Sequence, residues 1–152
     1  MLWRVIESQV VPLSEKEGIG QIVWSPIAQG VLSGKYLPGK KAPAGSRATD
    51  KKGGANMISR FMNEEILSAV QKLIPIAKKV DLTPAQLAIA WVLQNPNVSS
   101  AIIGASKPSQ IKENAKASGV KLDKSIMAEI DAALAGVITT DPALTVSPTP
   151  RA

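Results

Sequence analysis

Two short stretches carry the residue types that could do chemistry. In the first, Ile102-Ile103-Gly104-Ala105-Ser106-Lys107-Pro108-Ser109-Gln110 runs two β-branched residues into a glycine and then opens a helix. Glycine lets a backbone approach a ligand closely, and a helix N-terminus offers free N–H groups and the positive end of a dipole. A strand breaking onto a helix in this way suits a phosphate. Ser106 can cap the helix or donate to that phosphate, and Lys107 supplies a point charge. Gln110 and Asn114 fall four residues apart, on one helical face. In the second stretch, Gln21-Ile22-Val23-Trp24 ends at Ser25-Pro26 and presents a flat indole face at a strand terminus. The residues alone leave blander readings open: an ordinary capped turn, a core tryptophan, and solvated lysines and arginines.

Composition narrows the chemistry. The chain of 152 residues has no Cys and no His. That excludes thiolate and imidazole metal ligands, cysteine nucleophiles and the histidine base of most serine hydrolases. Aromatics are 3% of residues, too few for the stacking platforms of single-strand nucleic-acid binders. The net charge of +6 is scattered, with only Lys40-Lys41 and Lys51-Lys52 adjacent. It therefore reads as solvated surface, or as a basic groove for one small phosphorylated ligand, and not as a nucleic-acid interface. No apolar run is long enough to span a membrane, and the N-terminus makes a poor signal peptide, so the cytoplasm is the expected compartment.

The elements that must position these stretches follow from periodicity and caps. Residues 4 to 17 read as a helix weakened by Pro12 and ended by Gly18. A strand covers 21–24, and 30–60 form a long loop rich in Gly, Pro, Lys and Ser. Asn63 caps a helix with Ile66, Val70, Leu73 and Ala77 at helical spacing, which Pro75 should kink or split. Thr83-Pro84-Ala85-Gln86 is a capping box before a helix apolar nearly all round, in which Trp91 is core. Val98 to Ile103 is a second buried strand, a helix runs from the glycine turn to about Ala117, and Asp123 caps a last one. Residues 136–152 lack a pattern and read as a loose tail after a domain of 1–135. Strands joined by helical crossovers pair in parallel, and two strands this apolar want neighbours on both edges. The chain thus reads as α/β and as part of a larger protein.

The motifs "IVWSPIAQGVLSGKY" (22–36), "AGSRAT" (44–49), "TPAQLAIAWVLQNPNVSSAIIGASKPSQIKEN" (83–114) and "MAEIDAAL" (127–134) closely resemble the C-terminal half of aldo-keto reductases. The branch is the one containing bacterial oxidoreductases and potassium-channel β-subunits. The resemblance implies a partial (β/α)8 TIM barrel in which the two strands are the seventh and eighth, the chain starting just after the sixth. It implies NADP(H) as cofactor. Trp24 would stack on the nicotinamide, and Ser25, Pro26, Ile27, Ala28, Gln29 and Lys35 would hold the pyrophosphate. Arg47 would pack on the adenine and the 2′-phosphate, with Gly104, Ser106, Lys107, Gln110, Glu113 and Asn114 at the adenosine end. The family reduces carbonyl substrates by hydride transfer, using a Tyr acid with Lys, Asp and often His from early strands. Tyr36 does not match that acid, so no catalytic residue is expected here. The resemblance leaves three readings: part of an ordinary reductase, a half-barrel that pairs with itself or with an N-terminal half, and a non-catalytic NADP-binding or interaction module.

Overall fold

The structure is a computed structural model and describes residues 1–145. Helices α1 (Val10–Lys16), α2 (Gly54–Ile58), α3 (Glu64–Lys79), α4 (Pro84–Val92), α5 (Pro108–Ala115) and α6 (Lys124–Leu134) surround a small sheet of β1 (Gln21–Trp24) and β2 (Val98–Ile102). The strands are parallel, with Ile22 beside Ser100, Val23 beside Ala101 and Trp24 beside Ile102.

Local signals set most helix starts. The Asn63 side chain accepts from Ile66 N at 2.8 Å, and the Asp123 side chain from Ile126 N at 2.9 Å. The Thr83–Gln86 box closes in both directions, Gln86 N donating to Thr83 Oγ1 and Thr83 N to Gln86 Oε1. Of the two outcomes expected at Pro75, a kink or a split, the split does not occur: α3 runs through it from Glu64 to Lys79. Pro75 is exposed, so water can take up the carbonyl bond that its missing N–H leaves open. The core lies where α3, α4 and α6 meet, around Val70, Leu73, Leu87, Ile130 and Leu134. Lys79 and Glu129 bridge α3 to α6 at 2.7 Å on its surface.

Three expectations are corrected. Residues 4–9 are not helical, because this segment is taken by a long-range contact: Arg4 N donates to Thr139 O at 2.7 Å and Thr139 N to Leu2 O at 2.8 Å. Helix α1 starts at Val10, which leaves Pro12 in the first turn, where its missing N–H costs nothing. The loop 30–60 contains α2, nucleated where Asp50 Oδ2 accepts from Gly54 N. The strands are also not buried. Ile22 and Trp24 are each 65% exposed and Ile102 58%, although α4 packs against β2. Within the segment read as a tail, residues 137–139 pack against the N-terminal segment, and residues 146–152 lie outside the described residues.

Candidate functional site

Because β1 and β2 are parallel and Trp24 sits beside Ile102, the two turns that follow them leave the same end of the sheet. The turn after β1 is built by backbone constraint. Ser25, Ala28 and Gln29 have φ of 54°, 47° and 58°, values that cost a non-glycine residue roughly 1–2 kcal/mol each. They are held there by a dense set of bonds. Ala28 N donates to Ser25 O and Gly30 N to Ile27 O, both at 2.9 Å, while Gln29 Nε2 donates to Ser25 Oγ. Pro26 and Ala28 are buried, and Ile27 packs on the core. Gly30, at φ 99°, closes the turn, and the Lys35 ammonium lies over it, 3.6 Å from where a β-carbon would stand. The structure therefore gathers Trp24, Ser25, Gln29 and Lys35 at one strand end. Strained non-glycine backbone of this kind persists only where its surroundings over-determine it, and it clusters at ligand sites.

The turn after β2 is open. Every residue from Gly104 to Glu113 is exposed. A β-carbon on Gly104 would meet nothing within 4 Å, so the space a ligand would need is free. The amides of Gly104 and Ala105 make no hydrogen bond among the described residues. Those of Ser106 and Lys107 are occupied by the chain itself: Gln110 Oε1 accepts from Ser106 N at 2.8 Å, from Lys107 N at 3.2 Å and from Ser106 Oγ at 3.2 Å. The Gln110 amide oxygen thus fills the place at the start of α5 that an anion would take.

The remaining expected residues are not brought together. The Glu113 side chain pairs with Lys116 at 2.8 Å and its carbonyl accepts from Gln86 Nε2 at 2.7 Å. It lines a separate cavity of about 450 Å³ with Lys78, Asp81 and Thr83. Asn114 is half-buried one residue further on. Arg47 lies in a short 3-10 turn (Arg47–Thr49) packed on α2, its guanidinium donating to Met57 Sδ at 3.9 Å. Lys35, Arg47 and Lys107 have no carboxylate partner among the described residues. Free glycine space, unbonded amides and unpaired cations fit a phosphate-bearing cofactor such as NADP(H). Tyr36 is 1% exposed with its hydroxyl buried, away from any open surface.

A feature that local sequence could not signal is a cavity of about 910 Å³ running along β1. All three tryptophans of the chain, Trp3, Trp24 and Trp91, line it. The Arg4 guanidinium stacks 4.5 Å from the Trp91 ring centre and pairs with Asp131 at 2.7 Å, and Arg60 stacks on Trp3 at 4.5 Å. These partners are far apart in the chain, and no periodicity links them. Trp91, expected in the core, packs against it while also facing this cavity. Burial raises the Glu7 carboxyl above its ordinary range on the same wall.

Residues 1–135 match the aldo/keto reductase family. Over 112 residues the chain is 46% identical to a protein of Arabidopsis thaliana named as a voltage-gated potassium channel subunit beta, which covers 74% of this chain and 34% of that protein. A protein of Schizosaccharomyces pombe with a corresponding name is 42% identical over 128 residues, covering 82% of this chain and 37% of its own length. Among solved structures, the glycerol dehydrogenase of Gluconobacter oxydans superposes with a TM-score of 0.68 at 26% identity, over 98% of this chain and 43% of the dehydrogenase. The chain spans about a third of the length of the curated relatives it matches.

Proposed function

The chain belongs to the aldo/keto reductase family, and from that premise we propose that it is the NADP(H)-holding portion of a reductase barrel. On this reading residues 1–135 form the domain, and β1 and β2 are barrel strands seven and eight. The observation that carries it is the register of Trp24 beside Ile102, which sends two turns suited to phosphate out of one end of a parallel sheet. Trp24 holds the nicotinamide face, Ser25 to Gln29 and Lys35 meet the pyrophosphate, and Lys107 and Arg47 meet the 2′-phosphate. Ser106, Gln110, Glu113 and Asn114 take the adenosine end, with Gln110 leaving its own helix cap to do so. The bound cofactor would supply a hydride to the carbonyl carbon of a small-molecule substrate. The proton for the carbonyl oxygen comes from outside these residues, since the only tyrosine, Tyr36, is buried. A separate N-terminal half-barrel or a second copy would take the open edges of the sheet, and the cytoplasm is the proposed compartment.

The test is a tryptophan-fluorescence titration with NADP⁺ and NAD⁺. NADP⁺ is expected to bind more tightly, and Lys107→Ala to weaken NADP⁺ about tenfold while leaving NAD⁺ unchanged. Equal affinity for the two cofactors overturns the 2′-phosphate assignment. The chain alone is expected not to oxidise NADPH in the presence of an aldehyde, and turnover by pure material would refute that. The relatives named as channel β-subunits favour a second reading, a non-catalytic NADP-binding or interaction module. It predicts the same cofactor preference, but no carbonyl reduction even when the missing barrel elements are supplied.

A further inference from the structure

Lys35 is exposed, and its ammonium lies 3.6 Å from where a β-carbon on Gly30 would stand and 5.1 Å from the centre of the Tyr36 ring. No carboxylate among the described residues pairs with it. A flexible side chain of this kind loses much rotamer freedom when it is aimed at one place, so the backbone beneath it matters. That backbone is fastened to α3. Gln71 Nε2 donates to Gly34 O and to Tyr36 O, each at 3.2 Å. A side-chain amide nitrogen carries two hydrogens, and these two bonds use both. The Gly34 carbonyl belongs to the peptide plane that enters Lys35, and the Tyr36 carbonyl to the plane that leaves Tyr36, so the segment is held on both sides of Lys35. Ile74, one helical turn on from Gln71, adds a wall: its Cδ1 lies 3.4 Å from where a β-carbon on Gly34 would stand. Gly34 sits there at φ 77°, and Tyr36 is seated in the core at 1% exposure.

We infer that Gln71 is a positioning residue for cofactor binding: its amide holds the Lys35 segment against α3 and so keeps the Lys35 ammonium over the turn after β1, a role that rests on the placement of the pyrophosphate proposed above. Gln71 acts through Lys35 and not on the cofactor. It is half-buried, while the buried face of α3 is carried by Leu67, Val70, Leu73 and Ala77, so its amide is not what holds the helix to the core. Nor is it what anchors the loop, since the buried Tyr36 ring does that. What the two bonds add is direction. Without them Tyr36 keeps its seat, but the Lys35 segment must be ordered when the ligand arrives, and that ordering is subtracted from the affinity. The effect should fall equally on NADP(H) and NAD(H), because both carry the pyrophosphate. That separates Gln71 and Lys35 from Lys107, whose proposed partner is the 2′-phosphate.

The experiment is a double-mutant cycle on the 152-residue chain. Gln71→Met keeps side-chain length and helix propensity but has no donor. It should raise the dissociation constants of NADP⁺ and NAD⁺ by the same factor, roughly fivefold. Adenosine 2′-monophosphate, which has no pyrophosphate, should bind variant and wild type alike. Lys35→Ala should weaken both dinucleotides at least as much, and adding Gln71→Met to Lys35→Ala should change nothing further. With no ligand present, the carbonyl carbon resonances of Gly34 and Tyr36 should move upfield in Gln71→Met, as when a carbonyl loses its hydrogen-bond donor, while those of α4 stay in place. A merely structural role would weaken adenosine 2′-monophosphate together with the dinucleotides, or add its effect to that of Lys35→Ala. Either result overturns the proposal, as do unmoved resonances at Gly34 and Tyr36. If Lys35→Ala weakens the dinucleotides and Gln71→Met does not, the pyrophosphate assignment stands and the positioning role alone fails. If Lys35→Ala leaves both dinucleotides bound as in the wild type, the assignment itself fails and takes the positioning role with it.

Discussion

After β1 the chain bends through three positive-φ residues and drives Val31 and Leu32 into the core, both 1% exposed or less. After β2 it runs outward through residues 104–113 without burying any of them, and Gln110 alone ties down the start of α5. The two turns share one end of one sheet, and on the proposed reading they grip the two ends of one cofactor. They reach that task by different physics. The first is pre-formed, its backbone strain offset by packing beneath it. The second is held by a few bonds to a single neutral side chain, and must exchange those bonds for bonds to a ligand. Binding should therefore leave the first turn nearly unchanged and reorganise the second.

Core truncation breaks this comparison most directly. Leu32→Ala removes a side chain on which the first turn rests, and should cost about 2–5 kcal/mol in urea unfolding. Ile111→Ala, in the helix that follows the second turn, removes a side chain that is 60% exposed and should stay within about 0.5 kcal/mol. Equal losses would mean that the second turn is anchored as firmly as the first.

A smaller effect sharpens the other half of the comparison. Gln110→Ala deprives Ser106 N and Lys107 N of their shared acceptor, and should destabilise the first turn of α5 by about 1 kcal/mol, the usual worth of a helix cap. Amide exchange at 106–111 should speed up by roughly the fivefold that such a loss implies, while exchange in α3 and α4 stays unchanged. Unchanged exchange at Ser106 and Lys107 would show that the Gln110 contact does not hold the turn closed.

What was legible in the sequence follows the same division between local and long-range causes. The caps at Asn63, Thr83 and Asp123 act within three residues, and each stands where the sequence puts it. Both strands were also legible, from short β-branched runs bounded by turn residues. The positive φ of Ser25, Ala28 and Gln29 was not, since none of these is a residue that announces such a backbone; packing of the following turn imposes it. The non-helical stretch before Val10 depends on Thr139, at the other end of the described chain. Burial of the strands is not legible in the sequence, because exposure is set by what covers a strand and that is not written in the strand. At the site, the turns were visible as glycine, serine and proline steps, while the stacking of Arg4 on Trp91 and of Arg60 on Trp3 had no local signature.

The smallest effect separates helices by the chemistry of their caps. α6 is capped by a carboxylate: Asp123 Oδ1 accepts from Ser125 Oγ at 2.6 Å and from Ile126 N at 2.9 Å, and these bonds, the Ser125 hydroxyl foremost, hold its pKa below the ordinary value. A carboxylate with a lowered folded-state pKa contributes its stability above the unfolded value and loses it as pH falls through the folded value. α5 is capped by the Gln110 amide, which does not titrate in that range. Acidification below the unfolded carboxylate pKa of 3.8 should therefore fray the first turn of α6 while leaving that of α5 alone. Amide exchange at Ile126 should rise relative to Ser106 as pH falls, and Asp123→Asn should remove that difference while keeping the cap. If Ser106 and Ile126 lose protection together on acidification, global unfolding precedes cap loss. The two helix starts would then differ only in their response to ligand, and not in their response to protons.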